Sequence, residues 1–136
     1  MATVVVIDDD TEMRDTIANI LAIGGHRPVL TDAGSTLLQE LARLSFDLVV
    51  TDIRMPVIDG WQVAEWVRQH RPKVPVIALS GVAEILREYE RNLVFNVLIA
   101  KPVRKAELLR EVDRVLGTVV IEGGAPPRRP SGTLAC

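Results

Sequence analysis

Cysteine is all but missing from this chain: Cys136, the final residue, carries its only thiol. No disulfide framework can form within it, so a reducing compartment is expected, with the cytoplasm as the default location. Long apolar runs are missing as well, none approaching the ~20 residues of a membrane-spanning helix. The first residues lack a basic stretch followed by a cleavable apolar segment, and no membrane association is expected. Nor is charge of one sign in excess. With 16 Lys and Arg against 18 Asp and Glu, the formal net charge is -2. That balance gives no electrostatic case for nucleic acid or an anionic membrane surface, and Arg128-Arg129 is too short to make a basic patch. The chain also lacks a Ser/His/Asp arrangement, a GxGxxG turn, a P-loop and any Cys/His metal spacing.

What is present has the composition of one globular domain, 48% hydrophobic and 25% charged over 136 residues. Five short apolar runs, Thr3–Ile7, Pro28–Thr31, Phe46–Thr51, Val74–Leu79 and Val97–Ala100, alternate with segments of helical spacing. The first, third and fourth runs are continuous and rich in Val and Ile, as strands buried on both faces require. Between them, Met13, Ile17, Ile20 and Leu21 form one helical stripe behind a Thr11 cap, and Leu37, Leu38, Leu41 and Leu44 a second. Val63, Trp66 and Val67 mark a third helix. Val82, Leu86, Tyr89 and Leu93 mark a fourth, and Leu108, Leu109, Val112, Val115 and Leu116 a fifth. Strict alternation implies right-handed crossovers and a doubly wound α/β domain with a parallel sheet covered on both sides. Gly117 ends the last helix. The domain is placed at residues 1–118, and 119–136, dense in Gly and Pro, read as a disordered tail or linker stub. Trp61 and Trp66 read as packing residues, and His26 and His70 as surface residues.

In an open α/β sheet, ligands bind beyond the carboxyl ends of the strands. Asp8, Asp9, Asp52, Ser80 and Lys101 all lie at such ends, on four different strands. Several carboxylates gathered there repel one another unless a hard cation joins them, and Mg²⁺ takes one or two carboxylates together with phosphate oxygens. Asp10 and Thr11 serve as helix caps, but one cap cannot use three acids. Asp52 closes the run Leu48-Val49-Val50-Thr51 and opens a loop with Pro56 and Gly60, which suits a nucleophile that takes a phosphoryl group. The cation and Lys101 would neutralise the phosphoryl oxygens. The Ser80 hydroxyl and the backbone N–H groups of Ile53, Arg54 and Gly81 would hydrogen-bond to them. Gly81 would also leave room for the group. Pro102 biases Lys101 toward an extended backbone.

Four segments, Val4-Val5-Val6-Ile7-Asp8-Asp9-Asp10, Leu48-Val49-Val50-Thr51-Asp52-Ile53-Arg54-Met55-Pro56 with Asp59-Gly60, Ala78-Leu79-Ser80-Gly81 and Ile99-Ala100-Lys101-Pro102, stand in one order and spacing. With them, residues 3–116 resemble the receiver domain of two-component response regulators, in the style of the stand-alone chemotaxis regulator. The resemblance implies a five-stranded sheet of order 2-1-3-4-5 and phosphorylation of Asp52 from a phosphohistidine on a sensor histidine kinase or histidine phosphotransfer protein. It implies Mg²⁺ held by Asp9, Asp52 and the backbone carbonyl of Arg54, with Asp8 acting through water. It further implies a cis Lys101–Pro102 peptide. Leu98 stands where the family buries an aromatic on phosphorylation. Asn92-Leu93-Val94-Phe95-Asn96 replaces the customary Gly-Ala before the last strand, where Asn96 would supply a left-handed conformation.

Three other readings compete. One is a receiver cut from a larger regulator or hybrid kinase with the residues after 118 as linker stub, against which the initiating Met1 favours a natural N-terminus. A haloacid-dehalogenase-like phosphatase would need Thr where Glu12 stands, has only Asp113 for its late acidic pair, and has no use for the Asp52 loop. A phosphorylation-independent pseudo-receiver would have lost acids or the lysine, and none is lost. The expected function is therefore a phosphorylation-gated binding module or relay shuttle, not a metabolic enzyme, with only its own phosphorylation and slow dephosphorylation as catalysis. With no DNA-binding module among these residues, output falls to another protein, met through the fourth helix, last strand and last helix, including Tyr89, Leu98 and Arg104. The chain would be a monomer or a weak phosphorylation-dependent dimer.

Overall fold

Residues 1–117 are described by the structure, a computed structural model. Strands β1 (Thr3–Ile7), β2 (Arg27–Thr31), β3 (Leu48–Asp52), β4 (Val76–Ser80) and β5 (Val97–Ala100) alternate with helices α1 (Thr11–Ile23), α2 (Leu37–Arg43) and α3 (Gly60–His70). Two short helices, α4 (Val82–Arg87) and α5 (Tyr89–Asn92), then separate β4 from β5, and α6 (Lys105–Leu116) closes the domain. The sheet is all-parallel, in the order β2-β1-β3-β4-β5. This is the doubly wound fold anticipated from the alternation.

β1, β3 and β4 are buried along almost their whole length because apolar layers cover both faces. On one face Ile17, Ile20, Leu21, Leu108 and Val112 of α1 and α6 pack against Val4, Val6, Val50 and Ile77. On the other, Leu37, Leu41, Trp61, Val63 and Val67 of α2 and α3 pack against Val5, Ile7, Val49 and Ala78. Each Val, Leu or Ile among these, taken fully out of water, contributes about 1.5–3 kcal/mol before entropy is counted. A continuous Val/Ile run is what a strand needs when neither face is wet.

Local details depart from the sequence reading in four places. Of the two expected caps of α1, Asp10 serves, its carboxylate accepting from Glu12 N and Met13 N, whereas Thr11 is the first residue of the helix itself. His26 is buried, not at the surface: Nδ1 accepts from the Ala2 N–H at 3.3 Å and Nε2 lies 3.4 Å from Asp113 Oδ1. Asn96 is not left-handed; among the described residues only Gly25 and Gly117 have positive φ. Its side-chain Oδ1 instead accepts from Val76 N, and its own N–H donates to Val76 O, which fixes the entry to β5 against β4.

The fourth helix is broken and bare. Glu88 (φ −109°, ψ 39°) separates α4 from α5, and α4 buries no residue. Val82, Leu86, Tyr89 and Leu93, the expected core stripe, are each at least 50% exposed. Asn92 Nδ2 donates to the Ile85 carbonyl, the group that a continuous helix would pair with the Tyr89 N–H. His70 is exposed as expected and stacks on Trp66 at 4.5 Å. Gly117 ends α6 in the left-handed conformation, φ 69°. The reading of 119–136 as a tail lies outside the described residues.

Candidate functional site

Sheet register assembles the site. Ile7 pairs with Thr51, so Asp8 emerges beside Asp52; Asp52 pairs with Leu79, so Ser80 emerges one step beyond. Ser80 pairs with Ala100, so Lys101 follows directly, tied by its N–H to the Ser80 carbonyl at 2.8 Å. All leave the sheet at its carboxyl rim.

One carboxylate oxygen each from Asp8, Asp9 and Asp52 lies within 4.8 Å of the other two. Lys101 Nζ donates to Asp52 Oδ1 at 3.0 Å. Asp8 is 2% exposed and Asp52 9%. Burial, reinforced by the negative charges of Asp52 and Asp9, pushes the Asp8 carboxyl up to about 6; the Asp10 N–H at Asp8 Oδ1 and the Lys101 ammonium pull the other way. Three oxygen donors held this close at a net negative rim suit a small, hard divalent cation. The residues present therefore fit Mg²⁺.

The loop after Asp52 is held shut. Asp59 and Gln62 form a reciprocal capping box at the start of α3, and the Gly60 N–H donates to the Ile53 carbonyl at 2.7 Å. A Cβ on Gly60 would sit 2.6 Å from Asp52 O and 2.9 Å from Ile53 Cα, so only glycine allows this closure. Gly81 is different. Its φ of −71° suits any residue and an added Cβ meets nothing within 4 Å, so protein packing does not demand a glycine there.

Arg54 is exposed, its guanidinium 4.9 Å from the Trp61 ring centroid. Its Nε donates to Glu84 Oε2, which raises the guanidinium pKa further above its ordinary value. Glu84 Oε1 accepts from Ser80 Oγ at 2.9 Å. Glu84 was missed in the sequence, although it stands one helical turn beyond Ser80 and that spacing was the available signal. Of the expected switch residues, Leu98 is half-buried on β5, Tyr89 exposed at the start of α5, and Arg104 exposed at the start of α6. Asp113, the late acid of the phosphatase reading, lies on α6 at His26, away from the acidic rim.

Fold and rim together define a doubly wound α/β domain whose chemistry is concentrated around one aspartate. A family model described as the response regulator receiver domain matches residues 4–113. The chain belongs to that family, the receivers of two-component signal transduction. Response regulator protein FleR of Pseudomonas aeruginosa is 34% identical over 89 residues, covering 65% of this chain and 19% of that protein. Regulatory protein AtoC of Escherichia coli is 31% identical over 115 residues, 83% of this chain and 25% of AtoC. The chain thus spans a quarter or less of these two regulators. Response regulator receiver protein CpdR of Brucella abortus, 24% identical, is matched over 98% of its length and 85% of this chain.

Among solved structures, the receiver domain of a Pseudomonas aeruginosa PAO1 sensor histidine kinase, with a magnesium ion coordinated in its active-site cleft, superposes with a TM-score of 0.74. It is 28% identical and covers 85% of this chain and 98% of its own. Response regulator TrrA of Thermotoga maritima superposes with a TM-score of 0.77 at 24% identity, over 85% of this chain and 99% of TrrA, and shows the shared fold. No helix among the described residues is long and apolar enough to cross a membrane.

Proposed function

We propose that this receiver is a phosphoacceptor, phosphorylated on Asp52 from a phosphohistidine of a sensor kinase or phosphotransfer protein. The observation that carries the proposal is the meeting of Asp8, Asp9 and Asp52 within 4.8 Å, with Lys101 Nζ 3.0 Å from Asp52. An Asp52 carboxylate oxygen attacks phosphorus. The P–N bond to the donor imidazole breaks, an acyl-phosphate O–P bond forms, and the imidazole leaves with its electron pair. Mg²⁺, held by Asp9, Asp52 and the Arg54 carbonyl with Asp8 acting through water, would supply charge neutralisation for the phosphoryl oxygens. Lys101, already on Asp52 Oδ1, needs only a small shift to reach a transferred oxygen. The Ser80 hydroxyl and the N–H groups of Ile53, Arg54 and Gly81 donate to the remaining ones.

The group adds about −1.5 to −2 charges, enough to bias an existing two-state equilibrium through its new contacts. The surface that responds is α4–α5, β5 and α6. The exposed side chains of Val82, Leu86, Tyr89 and Leu93 give it the apolar character of a protein-binding face. Phosphorylation thereby gates a partner protein, in the cytoplasm where sensor kinases act, and the chain's catalysis is limited to accepting and slowly hydrolysing its own phosphoryl group.

Incubation with acetyl phosphate and Mg²⁺, read by intact mass, tests the reading. Wild type gains one phosphoryl group and Asp52→Asn none. Equal labelling of both proteins rejects Asp52 as acceptor.

A further inference from the structure

Because α4 buries no side chain, apolar packing does not hold it to the domain. Polar contacts do. At its far end the Ile85 carbonyl accepts from Asn92 Nδ2, and Asn92 Oδ1 accepts the buried Trp61 N–H at 3.0 Å. At its first turn the Glu84 side chain, only 14% exposed, bridges Ser80 Oγ and Arg54 Nε. Both residues are near Asp52 in the fold: Ser80 follows Leu79, the strand partner of Asp52, and Arg54 comes two residues after it.

The Ser80 hydroxyl has a single proton to donate. In this structure it goes to Glu84 Oε1 at 2.9 Å, with the Gly81 carbonyl a more distant alternative at 3.4 Å. A phosphoryl oxygen on Asp52 needs the same proton, and a dianionic group and the Glu84 carboxylate repel across one hydroxyl. The two acceptors exclude each other. We infer that Glu84 is a positioning residue: an internal acid that occupies, in the unmodified protein, the bonds from Ser80 and Arg54 that a phosphoryl group on Asp52 takes over. Phosphorylation then releases Glu84, and with it the amino end of α4 and the apolar residues Val82 and Leu86 that the helix carries. The inference rests on the phosphoacceptor reading and deepens it, by naming the contact whose rupture moves α4.

The test titrates the full chain with beryllofluoride at fixed Mg²⁺, following α4 amide shifts and Trp61 emission. Glu84→Gln keeps the shape and removes the charge; Glu84→Ala removes the acceptor. Both bind beryllofluoride more tightly, Glu84→Ala by about tenfold, the effect of one charge-assisted hydrogen bond that only the unmodified state retains. Their unliganded α4 shifts already move toward the beryllofluoride-bound positions. In an Arg54→Ala, Ser80→Ala background the gain from Glu84→Ala vanishes. Unchanged or weaker affinity in the single variants, or a gain that persists in that background, overturns the latch while leaving the phosphoacceptor reading intact. A wild-type chain that binds no beryllofluoride overturns both. Should Glu84→Ala fail to fold, Glu84→Gln decides by the same criterion.

Discussion

Lys101 Nζ lies 3.0 Å from Asp52 Oδ1, joining the end of β5 to the end of β3 across the rim of the intervening β4. This ammonium group is both counter-ion to the acidic rim and competitor for any cation that binds there, and the two roles have opposite consequences when it is removed. Lys101→Ala should slow phosphorylation by acetyl phosphate about a hundredfold, the usual cost of deleting one preorganised donor to a developing anion. The same variant should bind Mg²⁺ more tightly, because a positive charge has left the site. Intact-mass kinetics and a tryptophan-fluorescence titration read the two effects separately. Weaker Mg²⁺ binding in Lys101→Ala would show that the lysine organises the acids instead of competing with the ion.

Asp8 should make both metal binding and stability depend on pH. Its carboxyl is raised from 3.8 to about 6, so in the metal-free protein the folded state holds a proton that the unfolded state has already lost across that window. The sign follows: the destabilisation is fully present above pH 6 and is relieved as pH falls toward 3.8. Asp8→Asn should therefore stabilise the metal-free domain near neutral pH, by up to about 3 kcal/mol, and by progressively less toward pH 4. Thermal unfolding at pH 4 and 7 in chelator checks this. Mg²⁺ affinity should hold level above pH 6 and fall below it, by about tenfold per unit where one proton is displaced.

Two glycines near the acceptor should respond unequally to the same change. Gly60→Ala forces a Cβ against Asp52 O and Ile53 Cα, and should cost roughly 1–3 kcal/mol while displacing the acceptor strand end. Gly81→Ala meets open space at an ordinary φ and should cost less than about 1 kcal/mol. Denaturant unfolding with acetyl-phosphate labelling separates them. Equal tolerance at both positions would mean that the loop after Asp52 is not held shut by the Gly60 contact.

Much of this molecule was legible because the signals are local. A Val/Ile run buried on both faces reads as a strand, and the residue after it must stand at the rim, whatever the rest of the chain does. That logic correctly placed Asp8, Asp52, Ser80 and Lys101 at strand ends. Helical periodicity carried less. The spacing of Val82, Leu86, Tyr89 and Leu93 says that these residues share a face, yet nothing in spacing says whether another element covers it, and here none does. His26 was misread for a related reason: its partners, the Ala2 N–H and Asp113, come from opposite ends of the domain.

The amino-acid order by itself determined the alternation of strand and helix, the parallel sheet that alternation demands, and the acids and the lysine that end its strands, because each depends on neighbours only a few positions away. The order of the strands followed from the resemblance that four short segments carry. Tertiary structure alone decided that Glu84 takes the Ser80 proton, that His26 is buried against Ala2 and Asp113, and that the fourth helix breaks and stays bare. Those outcomes turn on how segments pack against one another, where the energy lies in contacts that exist only after the sheet has formed.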